Sequence, residues 1–238
     1  MIRNYIFDLY GTLVDIHTDE TDLKLWQRMA LLYAFSGARY APGEMYKAYQ
    51  AAIESLVAEA QARCPDVPKE HIEPDILQVF RRLYEKKDVQ VSDEMVEHAA
   101  LFFRTLSLSR IWLYPDAMKV VKGLKEKGCG VYLLTNAQAA FTRPELKAIG
   151  LDTLFDGIVI SSEVGLKKPA PAIFEHLLKT YALDPAECLM IGNDLGDDIK
   201  PAHNLGVHSR YIHTQQSPSR PTYLPGTCQE IKALSELL

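Results

Sequence analysis

Asn4-Tyr5-Ile6-Phe7-Asp8-Leu9-Tyr10-Gly11-Thr12-Leu13 is the stretch that decides the fold. A short apolar, β-prone run stops on a carboxylate, and Gly11-Thr12 can form the turn that leaves Asp8 at a strand's C-terminal edge. Open α/β sheets hold their chemistry at that edge. Taken alone, the pattern is that of an ordinary strand closed by a solvated Asp. Three later stretches change that reading.

From about residue 17 to 108 the apolar spacing is helical, as in Leu25-Trp26-x-x-Met29-Ala30-x-x-Tyr33. It predicts helices over 22–32, 43–63, 73–87 and 92–107, broken at Pro42-Gly43, Cys64-Pro65 and Val91-Ser92-Asp93, with no strand among them. After Tyr114-Pro115 helices alternate with short apolar runs. Helices are expected over 116–127, 140–148, 170–181, 197–205 and 228–237, and strands over 130–135, 157–160, 188–192 and 208–212. Such alternation implies βα units and a parallel sheet. The opening strand belongs to the same sheet, so the α/β core is split by a helical insertion. Residues 215–221 read as a surface loop.

Composition narrows the function classes. A hydrophobic fraction of 47% and a charged fraction of 24% suit a chain with a sizeable core. A net charge of -5 argues against non-specific nucleic-acid binding. No stretch approaches a membrane span, and the N-terminal apolar run is too short for a signal peptide, so a cytoplasmic protein is expected. The four cysteines are widely spaced without a metal-ligand pattern, and are expected to be reduced and mostly buried.

The four strand ends carry Asp8, then Thr135-Asn136, then Lys168, then Asn193-Asp194 with Asp198. In a parallel sheet with these strands adjacent, the groups converge on one crevice. A carboxylate can attack phosphorus or carbon, a hydroxyl and an amide can bind the departing group's oxygens, a Lys neutralises charge, and carboxylates hold Mg²⁺. Structural roles compete at each position: Thr135 as a helix cap, Asp194 as the N-cap of the helix beginning near Gly196, and Lys167 as a solvated neighbour of Lys168.

In order and content, Phe7-Asp8-x-x-Gly11-Thr12-Leu13, Leu133-Leu134-Thr135-Asn136, Gly165-Leu166-Lys167-Lys168-Pro169 and Ile191-Gly192-Asn193-Asp194-x-x-x-Asp198 resemble the four motifs of the haloacid dehalogenase superfamily of hydrolases. The resemblance implies a Rossmann-like core over 1–15 and 110–238 and an inserted all-α cap of the C1 type over 16–109. It implies Asp8 as a nucleophile forming an aspartyl intermediate, and Thr135 and Lys168 as its catalytic partners. Thr12 and Asn136 would bind substrate, Asn193 and Asp198 would support the site, and Mg²⁺ would sit on Asp8, the Tyr10 carbonyl and Asp194. Substrate would be a small phosphorylated metabolite, and the protein a monomer or homodimer.

Two positions depart from the pattern. Phosphatases of the superfamily carry a catalytic Asp where this chain has Tyr10, a candidate catalytic residue whose phenol can donate a proton but is a poor base near neutral pH. Tyr at that position resembles the metal-independent 2-haloacid dehalogenases, whose halide leaving group needs no proton. Those enzymes also place a Tyr near Phe174 and an Arg in the first cap helix, where Arg28 is only an approximate candidate. Charge favours the metal: Asp8, Asp194 and Asp198 around one Lys168 leave a negative surplus, and each like-charge pair at 4 Å costs roughly 4 kcal/mol at an effective dielectric of 20. Tyr10 and Asn193 together also suit a binding or regulatory protein with negligible turnover. In the cap, Trp26 and Tyr33 read as packing residues.

Overall fold

A computed structural model describes residues 1–218 and 220–238; Ser219, in the expected loop over 215–221, lies outside the described residues. The first four strands of the main sheet are β1 (Asn4–Phe7), β4 (Gly130–Thr135), β5 (Gly157–Ile160) and β6 (Cys188–Gly192), joined by β7 (His208–Ile212) and β8 (Gln229–Ile231). All neighbours run parallel in the order β5-β4-β1-β6-β7-β8. In register, Phe7 lies between Leu133 and Ile191. The continuous apolar runs of β4 and β6 follow from helices covering both sheet faces. These are α5 (Ala117–Glu126), α6 (Ala139–Ala148), α8 (Pro171–Thr180) and α9 (Lys200–Asn204), with a single turn α7 at Ser161–Val164.

The chain steps from β1 outward to β4 and β5, then returns to the other side of β1 for β6. Order reverses beside β1, and open α/β sheets place their ligand crevice at such a reversal.

Four helices fill the insertion: α1 (Leu23–Phe35), α2 (Pro42–Arg63), α3 (Ile76–Glu85) and α4 (Asp93–Ser107). Asp22, Asp75 and Ser92 cap α1, α3 and α4 by accepting the N–H of Lys24, Leu77 and Met95. The inward stripes bury Trp26, Tyr33, Tyr49, Phe80 and Phe103 in an apolar cluster distinct from those flanking the sheet. Trp26 and Tyr33 are thus packing residues, and Arg28 is exposed on the outer face of α1. No helix among the described residues is long and apolar enough to cross a membrane.

Several expectations are corrected. A strand β2 (Val14–Thr18) pairs antiparallel with β3 (Leu108–Leu113), forming a two-stranded ribbon at the base of the insertion. Each partner lacks a local signal, because the ribbon exists only once 89 intervening residues bring the strands together. The expected terminal helix is strand β8, recruited by β7 at the sheet edge, followed by a 3₁₀ turn at Leu234–Leu237. The helix expected from residue 73 starts at Ile76, after Pro74 and the cap Asp75. The expected helix over 197–205 begins with a π-helical turn at Leu195–Ile199. Among the cysteines only Cys188 is buried, Cys64 is exposed, and all four are free.

Phe103 is fully buried and packs against Trp26, Tyr49, Phe80 and Phe141. Phe103→Ala is expected to lower stability by about 3–5 kcal/mol in chemical denaturation.

Candidate active site

Lys168 is the centre of the crevice. Its ammonium, 3% exposed, donates to Asp8 Oδ1 at 2.7 Å, to Asp198 Oδ1 at 2.6 Å and to the Leu134 carbonyl at 3.1 Å. Three acceptors saturate the three donors of an ammonium group. Burial alone pulls the Lys168 pKa down, but Asp198 and Asp8 outweigh it and hold the amine above its ordinary value. Burial pushes the Asp198 carboxyl up, with Lys168 opposing and Asp8 adding to the rise.

Asp8 follows β1, and its second oxygen accepts the Thr12 hydroxyl at 3.1 Å. Thr12 is fully buried and also lies 3.3 Å from Asn193 Oδ1. Gly11 sits between them at φ +91°, and a Cβ there would stand 2.5 Å from the Asn193 side chain. Thr135, buried, closes β4 next to β1. It caps no helix, since Gln138 is the residue preceding α6.

Asn136 holds Lys168 from the main chain: its Oδ1 accepts the Lys168 N–H at 2.8 Å, and its Nδ2 donates to the Lys168 carbonyl at 2.9 Å and to Asp197 Oδ2 at 3.2 Å. Lys167 points away from the ammonium cluster and lines a neighbouring cavity between insertion and core.

The two acids of the last stretch have different tasks. Asp194 Oδ1 accepts the N–H groups of Gly196 and Asp197, so it is the N-cap of the π-helical turn. Asp198, 1% exposed, accepts the Asp194 N–H at 3.0 Å beside its contact with Lys168. Room for it exists because residue 192 is glycine: a Cβ there would stand 2.3 Å from Asp198 Oδ2.

Tyr10 departs from the crevice centre. Its hydroxyl donates to Glu145 Oε2 and shares a 3.1 Å hydrogen bond with Thr142, both on α6. Glu145 Oε1 in turn accepts Arg104 Nε of α4 at 2.5 Å. Burial, then the Glu145 charge, raise the phenol pKa far above its ordinary value. Tyr10 and Arg104 line a cavity of about 300 Å³ with Glu20, Glu73, Asn136 and Gln138. Burial also raises the carboxyl pKa of Glu20 and Glu73. The sequence carries no sign of Glu145, Arg104 or Gln138 as site neighbours, because each meets its partner only across the assembled interface. Phe174 is packed under the sheet and Arg28 lies on the surface, so neither reaches the crevice.

The crevice thus joins the strand-end carboxylate of Asp8, a locked ammonium, a second buried carboxylate and the Thr12 hydroxyl. The family model of haloacid dehalogenase-like hydrolases matches residues 2–206. The chain belongs to that family. Among curated relatives it is 32% identical over 129 residues to a phosphoserine phosphatase of Thermus thermophilus, covering 54% of this chain and 51% of the relative. It is 28% identical over 128 residues to a glyceraldehyde 3-phosphate phosphatase of Pyrococcus abyssi, covering 54% of each. The chain spans about half the length of the curated relatives it matches. Solved structures share the fold over nearly the whole chain. A 2-haloacid dehalogenase from Pseudomonas syringae has a TM-score of 0.61 at 21% identity, covering 100% of this chain and 96% of that one. A phosphatase of the family from Thermococcus onnurineus has a TM-score of 0.59 at 20% identity, covering 99% and 96%.

Lys168→Met would leave Asp8 and Asp198 buried without their cation. It is expected to cost about 3–5 kcal/mol at neutral pH by urea denaturation. The deficit should shrink as the pH falls, beginning above the ordinary carboxylate range, because burial pushes Asp198 up and the loss of Lys168 removes what opposes that rise.

Proposed function

We propose that the protein is a phosphohydrolase of small phosphorylated metabolites, with Asp8 as its nucleophile and Mg²⁺ as its cofactor. The observation that carries this reading is Asp8 at the C-terminal edge of the central strand, gripped by Lys168 on one oxygen and Thr12 on the other. The phosphatases among its curated relatives point the same way. In this reading residues 16–109 form a cap over a core of 1–15 and 110–238.

An Asp8 oxygen attacks phosphorus, the ester P–O bond breaks, and an aspartyl phosphate forms. The leaving oxygen takes its proton from water, since the Tyr10 O–H is committed to Glu145. Water then attacks the aspartyl phosphate, releases phosphate and restores the carboxylate, and the proton it gives up neutralises the hydroxide left by the first step. Lys168 aims Asp8 through its hydrogen bond, and Asn136 fixes Lys168.

The donor set fits Mg²⁺. Asp8 and Asp198 contact the single ammonium, Asp197 lies within its electrostatic reach and Asp194 caps the adjoining turn, and all are hard oxygen donors. Among the described residues no group of three or more His, Cys, Asp or Glu side chains is placed to hold a metal ion. Mg²⁺ needs none, because it keeps waters and takes one or two carboxylates. Asp8, the Tyr10 carbonyl and Asp194 would hold it, and it would neutralise charge on the transferring phosphoryl group.

Release of phosphate from a phosphomonoester panel tests the reading. Asp8→Asn is expected to abolish release, and a chelator to suppress it until Mg²⁺ is restored. Because the Tyr10 O–H is committed to Glu145, turnover is expected to be faster with aryl phosphates, whose leaving oxygen needs no proton, than with alkyl phosphates. The same Tyr10 contact favours a second reading, metal-independent cleavage of carbon–halogen bonds in 2-haloacids. Halide release from chloro- or bromoacids, unaffected by chelator, would establish that one in place of the first.

A further inference from the structure

Helix α6 and the residue before it turn one face toward the helical insertion and the turn after β1. Gln138, Phe141, Thr142 and Glu145 lie at offsets of three, four and seven, one side of a helix. Every one of them meets something outside the sheet. Gln138 accepts the Ile76 N–H at 2.9 Å and donates to Glu73 at 2.8 Å and the Pro74 carbonyl at 3.0 Å. Phe141 belongs to the apolar cluster of the insertion and stacks on Phe103. Thr142 and Glu145 bind the Tyr10 hydroxyl. Arg104, stacked over Phe141, pairs with Glu145, their side chains 13% and 10% exposed. Among the described residues this is the one ion pair between residues 23–107 and the rest of the chain.

We propose that Glu145 is a positioning residue that makes the seating of the helical insertion set the geometry of the Asp8 turn. The path is short. Arg104 fixes Glu145, Glu145 fixes Tyr10, and Tyr10 belongs to the tight turn that presents Thr12 to Asp8. That turn is closed by the Gly11 N–H on the Val14 carbonyl at 2.8 Å and the Leu13 N–H on the Leu9 carbonyl at 2.8 Å. A buried ion pair has a narrow range of acceptable geometries, because any displacement leaves a desolvated charge unpaired. The same helix begins just after Thr135 and Asn136, so its position also bears on the neighbouring strand end. Glu145 touches no reacting atom, and its side chain reaches the Asp8 turn through Tyr10.

The inference rests on Asp8 as nucleophile, and the test separates the two. With p-nitrophenyl phosphate and Mg²⁺, Arg104→Met is expected to lower kcat by about 100-fold with KM changed by less than about 3-fold, as a displaced reacting group does. Adding Glu145→Gln to Arg104→Met should cost little more, since both break one path. Arg104→Lys should recover most of the rate. Amide hydrogen exchange over residues 9–14 should quicken in Arg104→Met although the change lies on α4. Wild-type kcat in Arg104→Met, losses that multiply in the double variant, or unchanged exchange at 9–14 would overturn the proposal. Should Arg104→Met fail to fold, Glu145→Gln alone carries the comparison: a lowered kcat with faster exchange supports the coupling, and wild-type values of either refute it. If the wild type releases no phosphate, the functional reading falls, and exchange at 9–14 alone decides the coupling.

Discussion

A buried ammonium between two carboxylates is the constraint on which the rest depends. Lys168 has no water to fall back on, so Asp8, Asp198 and the Leu134 carbonyl must all reach it at once. That demand sets the relative positions of three strand ends, since Asp8 follows β1, Leu134 lies in β4 and Asp198 follows β6. It also explains Gly192, where any side chain would occupy the space of the Asp198 carboxylate. Asn136 closes the arrangement from the backbone, accepting and donating at Lys168 like a strand partner. A surface pair of the same types would do none of this, because water would replace either partner at little cost.

The second organising contact lies at the interface of insertion and core. Arg104, Glu145 and Tyr10 form a buried polar chain whose members come from α4, α6 and the turn after β1. Burial, reinforced by the Glu145 charge, holds the Tyr10 phenol protonated, and its O–H is used as a donor to Glu145. A side chain that resembles a candidate acid in the linear motif is thereby part of the scaffold. The cavity beside it is walled by both halves of the molecule, with Glu20 and Glu73 from the insertion facing Asn136 and Gln138 from the core.

Much of the architecture was legible in the residues themselves. The strands over 130–135, 157–160, 188–192 and 208–212 stand where the apolar runs placed them, because central parallel strands need continuous apolar sequence. Helices of the insertion were legible from their stripes and caps, as with Ser92 before α4 and Asp22 before α1. The ribbon of β2 and β3 was not, nor was β8, because a short strand at an edge owes its state to a partner rather than to its own pattern. Asp194 shows the same limit at the site: two acids four residues apart look alike in sequence, yet one caps a turn and the other is buried on Lys168.

By itself, the sequence determined the family, the parallel α/β sheet and the convergence of Asp8, Asn136 and Lys168, since strand ends in a parallel sheet face one crevice and residue types reveal its chemistry. Only the tertiary structure decided which acid meets the ammonium and what the Tyr10 hydroxyl does. Those outcomes depend on contacts such as Tyr10 with Glu145, 135 residues apart in the chain. Local pattern carries no information about such a pair, because each side chain's environment comes into being only when the helical insertion packs against the sheet.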